Sequence, residues 1–190
     1  MRKGEDMEKK VLVPLAEGFE MVEALSVVDV LRRAGVQVDL VSISNDLQVV
    51  SSHGVPVVTE KYISECVDQQ YDLIVLPGGI PGSENLARSQ VLQDLLKKQN
   101  DSGRLYGAIC AAPALVLGSQ GLLEGKNATC HPLFVEKLPS QEYKNQSVVF
   151  DKNCVTARGA GVSIDFSLKL LEVLMGSDKR DEVAKQMALV

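Results

Sequence analysis

The run Gly107-Ala108-Ile109-Cys110-Ala111-Ala112-Pro113 sets a cysteine between a short apolar segment and an Ala-Pro pair able to open a helix. A sulfur at that junction lies beside the unpaired N–H groups of the helix start, which favour the thiolate. Cysteines so placed have pKa values of about 3.5 to 7.5, against roughly 8.5 for a free thiol. A strand that turns sharply into a helix also pushes the side chain at the turn out of the sheet, as in a nucleophile elbow. The competing reading is a buried small hydrophobe, the common fate of a free cysteine.

Three further features bear on that choice. Pro77-Gly78-Gly79 follows an apolar run, and consecutive glycines let backbone N–H groups come close to a ligand as oxyanion donors, unless they simply mark a turn. Ala111, next to the cysteine, offers another such N–H. Glu20 and Glu23 both lead into apolar positions at helical spacing, where burial would raise a carboxyl pKa and suit it to carry a proton. The alternative is that both serve the helix dipole, and spacing does not choose between them. His131, one of two histidines, follows residues 127–130, which read as a strand, and is either a structural histidine or one placed to shuttle a proton near neutral pH.

The elements that must position these residues alternate. Residues 11–15 form a nearly all-apolar run, as expected of a strand buried on both faces. A helix follows Gly18 and runs to about Ala34, with Gly35 as its stop. Strands are expected at 36–43, 55–59, 71–76 and 105–109, and a hairpin at 148–157. Helices are expected at 89–99, after Pro113, at 163–174 and at 179–189. Strands alternating with helices predict an α/β fold, a doubly wound, mostly parallel sheet with helices on both faces. In such a sheet ligands bind outside the carboxyl ends of the strands. Those ends are Glu17-Gly18, Pro77-Gly78-Gly79, Cys110 and Arg158-Gly159, so four loops converge on one crevice.

Composition narrows the function classes. With 190 residues, 45% hydrophobic and 24% charged, the chain suits one globular domain over residues 9–190, behind a flexible lead at 1–8. A net charge of −5 without a basic stripe argues against nucleic acid as the main ligand. The apolar run at 11–16 is too short for a signal-peptide core, and nothing approaches a membrane span, so a reducing cytoplasmic compartment and no membrane partner are expected. The four cysteines are then free thiols, with Cys66, Cys130 and Cys154 in packing roles. They form no C-x-x-C pair, and Cys130-His131 has no second ligand pair, so no metal is expected.

In order along the chain, "LAEGFEMVEA", "DVLRRAG", "YDLIVLPGG", "GAICAAP", "ATCHP" and "TARGAG" resemble the blocks of the ThiJ/PfpI superfamily. Within it they are most similar to the small single-domain branch that contains the parkinsonism-associated deglycase. The resemblance runs from Lys9 to about Leu189 and implies a flavodoxin-like three-layer sandwich and a homodimer. It implies that Glu23 is the acid, Cys110 the nucleophile, His131 the histidine, and Gly79 and Ala111, beside Gly78, the oxyanion donors. Two positions depart from relatives: His53 stands near an arginine of some dimer interfaces, and Gly159-Ala160-Gly161 replaces Gly-Pro-Gly.

The chemistry so implied needs no cofactor. It is a glutathione-independent glyoxalase or deglycase reaction on methylglyoxal, glyoxal or their early protein adducts, releasing a hydroxy acid such as lactate. The alternative is a redox sensor or chaperone in which Cys110 is oxidised to a sulfinic acid held by protonated Glu23, without turnover. A protease would need a site completed by oligomerisation. A glutamine amidotransferase would need a late histidine with a following acid, and none comes after His131.

Overall fold

The computed structural model describes residues 8–189. The lead expected at 1–8 lies outside the described residues except for Glu8. Seven strands form one sheet: β1 (Lys10–Leu15), β2 (Gln37–Ser42), β5 (Lys61–Tyr62), β6 (Leu73–Leu76), β7 (Leu105–Ile109), β8 (Val148–Asp151) and β9 (Cys154–Ala157). Their order is β5-β2-β1-β6-β7-β9-β8, and every neighbouring pair is parallel except the β8–β9 hairpin. Two short strands, β3 (Gln48–Val50) and β4 (Pro56–Val58), pair by themselves, so the strand expected at 55–59 does not join the main sheet.

The side-chain period of two explains the layers. In β1, Val11, Val13 and Leu15 enter one core cluster and Leu12 the other, and in β6 Leu73 and Val75 part from Ile74 and Leu76 in the same way. Burial on both faces is why these strands read as unbroken apolar runs. Helices α1 (Met21–Arg33), α4 (Ser163–Met175) and α5 (Ser177–Gln186) cover the first face. Helices α2 (Gly82–Arg88) and α3 (Gln90–Asp101) cover the second.

The central neighbours β1, β6, β7 and β9 are parallel, so their carboxyl ends lie side by side. The loops that leave those ends at residues 16–20, 77–81, 110–112 and 158–162 therefore meet at one edge. Three local expectations change. Residues 127–130 join no ladder; Thr129 N–H instead donates to Thr156 Oγ1 at 3.0 Å. After Cys110 the helix expected at Pro113 forms as a π-helix over Pro113–Leu117 continued by a 3-10 turn over Gly118–Gln120, not as an α-helix. Helix α2 forms where no apolar period announced one.

Candidate active site

Cys110 sits one residue past β7 with φ +65°, one of three non-glycine residues at positive φ among those described. A β-carbon in that region is strained, and residues held there cluster at functional sites. Two backbone bonds hold the turn: Cys110 N–H donates to Ala157 C=O at 2.9 Å, and Cys110 C=O accepts His131 N–H at 2.7 Å. Thus β9 and the His131 segment clamp the elbow from both sides.

The two glutamates separate cleanly. Glu20 is the N-cap of α1, its Oε2 accepting Glu23 N–H at 2.8 Å. Glu23 is 1% exposed and turns inward, where its Oε2 accepts Gly78 N–H at 2.8 Å. Its other oxygen, Oε1, is buried without a hydrogen-bond partner among the described residues. Burial lifts the Glu23 carboxyl from 4.5 to about 7, against the lowering effect of Gly78 and Cys110.

Cys110 responds to the same surroundings. Burial and the facing Glu23 carboxylate push its thiol up to about 12, while the N–H groups of Gly79 and Ala111 pull the other way. The low thiol pKa expected from the helix start is therefore not what the folded chain sets while Glu23 is ionised. Two acids in contact, in one buried place, lose their protons in two steps that belong to the pair. The first leaves near 7, from the carboxyl, and the side-chain contact with Cys110 then puts the thiol proton one transfer away.

Gly78 also departs from expectation. Its N–H is already committed to Glu23 Oε2, so it seats the acid rather than an oxyanion. It must be glycine because a methyl group there would stand 2.5 Å from Cys110 Cβ and 2.6 Å from Glu23 Oε2. Gly79, at φ +91°, has no room either: a methyl group would lie 2.5 Å from Glu20 N and Gly18 O. That left-handed turn directs the Gly79 N–H at Cys110, opposite Ala111.

His131 is half-buried, and its Nδ1 accepts Leu133 N–H at 3.3 Å. In the neutral ring this assigns the proton to Nε2, on the ring edge whose Cδ2 faces Gly159. Cys66, Cys130 and Cys154 are buried and unbridged. Among the described residues no group of three or more His, Cys, Asp or Glu is placed to hold a metal, and no helix is long and apolar enough to cross a membrane. Cavities of about 510 Å³ between Ile43, Tyr62 and Gln90 and of about 580 Å³ between Gln93, Lys97 and Gln120 contain no cysteine. Chemistry rather than volume locates the site.

A parallel α/β sheet with a cysteine elbow and a buried carboxyl at its carboxyl edge defines a flavodoxin-like protein of the cysteine-elbow type. Residues 9–173 match the DJ-1/PfpI family, and the chain belongs to that family. It is 45% identical over 182 residues to protein DJ-1 homolog B of Arabidopsis thaliana, covering 95% of this chain but 42% of that one. The chain thus spans less than half the length of that curated relative. It is 34% identical to the glutathione-independent glyoxalase DJR-1.2 of Caenorhabditis elegans, covering 96% of this chain and 97% of the relative. Among solved structures, oxidized DJ-1 of Toxoplasma gondii superposes with a TM-score of 0.92 at 39% identity, covering 95% of this chain and 98% of that one.

Proposed function

We propose that the protein is a cofactor-free, glutathione-independent glyoxalase and deglycase acting on methylglyoxal, glyoxal or their early adducts on protein side chains. The observation that carries this reading is the juxtaposition of a strained, clamped Cys110 with a buried Glu23 whose Oε1 has no partner.

In the singly charged pair, a proton moved from sulfur to Glu23 leaves a thiolate facing the Gly79 and Ala111 N–H groups. The thiolate adds to the aldehyde carbon; the S–C bond forms, the carbonyl pair moves to oxygen, and protonated Glu23 supplies its proton. Glu23, now a carboxylate, removes hydrogen from that same carbon to give an enediolate and returns that proton to the neighbouring carbon, while the hydroxyl proton on the attacked carbon passes to the second oxygen. Nε2–H of His131 donates to the developing oxyanion on the far side. The product on sulfur is a 2-hydroxy thioester, which water hydrolyses to the hydroxy acid, restoring Cys110. The sum is dicarbonyl plus water giving hydroxy acid, with no redox partner.

The name of the nematode relative supports the reaction class. The name of the Toxoplasma structure supports a second reading, oxidation of Cys110 as a sensor without turnover. The experiment that tests the proposal follows lactate by NMR from methylglyoxal without glutathione. Wild type is expected to exceed Cys110→Ala by at least about 100-fold. Equal rates would leave only the sensor reading.

A further inference from the structure

The glycines that stand nearest Cys110 differ in how tightly their neighbours fix them. Gly78 and Gly79 are excluded from any other residue by close atoms. Gly159 is not: its φ of 161° is extended backbone, and a methyl group there would approach nothing closer than 3.6 Å. The atoms it would touch are His131 Cδ2 at 3.6 Å and Cys110 Sγ and Glu23 Oε1 at 4.0 Å each. One methyl volume thus lies in van der Waals contact with nucleophile, acid and histidine, and the protein leaves it empty. Gly159 and His131 also line a cavity of about 290 Å³ that extends to Ser147 and Arg158, at the small end of the range for ligand sites.

We propose that Gly159 is the specificity-determining residue of this site. Its missing side chain makes room for the substituent on the carbonyl carbon that Cys110 attacks. An atom next to the carbon bonded to Sγ, when directed toward Gly159, enters the volume that a methyl group there would occupy. Glyoxal, with hydrogen beyond its second carbonyl, asks least of that space, and methylglyoxal asks for one methyl group more. The proposal rests on the carbonyl-addition reading above and adds which residue sets the size of substrate accepted.

The test is Gly159→Ala, with paired readouts. Its thermal midpoint is expected within a few degrees of wild type, because the methyl group meets no atom below 3.4 Å; a variant that fails to fold overturns the claim that the position is open. The ratio of kcat/KM for methylglyoxal to that for glyoxal is expected to fall by about 10-fold or more, the usual cost of one carbon in a filled pocket. An unchanged ratio, whether both rates drop together or neither does, overturns the proposal.

A second arm does not depend on turnover. Alkylation of Cys110 by iodoacetamide is expected to slow by about 10-fold in Gly159→Ala, while oxidation by hydrogen peroxide changes little. Equal slowing by both reagents contradicts the size limit. If wild type turns over neither dicarbonyl, the glyoxalase reading fails, and this arm alone decides the role of Gly159.

Discussion

Glu23 Oε2 accepts the Gly78 N–H at 2.8 Å, which anchors one carboxyl oxygen of Glu23 and leaves Oε1 turned toward the space that Cys110 Sγ shares. One glycine amide therefore decides which carboxyl oxygen faces the Cys110 sulfur. A single backbone bond thus links the loop after β6 to the chemistry after β7.

Glu23 carries a pH signature in stability. Its carboxyl is raised from 4.5 to about 7 in the folded chain, so the native state holds the proton more tightly than the unfolded chain does. The resulting stabilisation is complete below about 4.5 and is lost as pH rises through 7. Glu23→Gln stays neutral throughout, so its stability relative to wild type is expected to grow by roughly 3 kcal/mol between acid and mildly alkaline pH. Urea unfolding at both pH values checks this; a constant difference would contradict it.

Gly78→Ala is expected to damage fold and function together. A methyl group 2.5 Å from Cys110 Cβ and 2.6 Å from Glu23 Oε2 forces both apart. Such overpacking costs about 1–3 kcal/mol. Turnover should fall far more than stability does, because the displaced groups are the ones that react in the proposed mechanism. Thermal melting and lactate formation measured together test this; an active, fully stable variant would refute the close packing.

His131→Ala is expected to lower kcat by roughly 100-fold, at the modest end of acid–base contributions, with the melting temperature little changed. Its ring sits at the rim, held by one Nδ1 bond to Leu133 N–H, so removal leaves no buried gap. Steady-state kinetics beside a melting curve distinguishes this from a structural role, which would lower both.

Away from the site, Asp39 provides an independent test of the fold. Burial would raise its pKa, but the Tyr71 hydroxyl at 2.8 Å, Lys61 at 3.2 Å and Lys10 at 3.4 Å outweigh burial and hold the carboxyl below its ordinary range. Its stabilisation is present above pH about 4 and is lost as pH falls through the lowered value. Asp39→Asn is expected to cost about 1–3 kcal/mol near neutrality, since it removes the charge that the buried Tyr71 hydroxyl and two half-buried lysines face. Calorimetry showing no loss would contradict the network.

Much of this arrangement was legible in the sequence because two-faced burial writes itself as apolar runs. Val11 to Leu15 and Leu73 to Leu76 could be placed as inner strands, and their carboxyl ends predicted where loops would converge. Helix α2 escaped because Gly82-Ser83-Glu84 shows no apolar period; it forms because Gly82 and Ser83 N–H groups find Gly18 and Gly79 carbonyls. Residues 127–130 read as a strand, yet their amides bond to side chains of the β8–β9 hairpin, Asn127 N–H to Asp151 Oδ2 and Thr129 N–H to Thr156 Oγ1. Glu20 and Glu23 were inseparable by spacing, since only the fold shows which faces Gly78. Gly159 was visible as a strand end but not as a site residue, because an absent side chain has no chemistry to read.

The Glu23 carboxyl is raised to about 7 and the Cys110 thiol that it faces to about 12, and two acids in such contact ionise as one pair. The most direct measurement is the pH dependence of Cys110 alkylation in wild type and in Glu23→Leu. The wild-type rate is expected to rise through an inflection near 7 and then level off, because the single charge of the pair reaches sulfur across one proton transfer. In Glu23→Leu that partner is gone, and the inflection is expected to move upward by about one unit or more. A wild-type rate that climbs without levelling past about pH 9, or a Glu23→Leu profile that overlays it, would contradict proton sharing between Glu23 and Cys110.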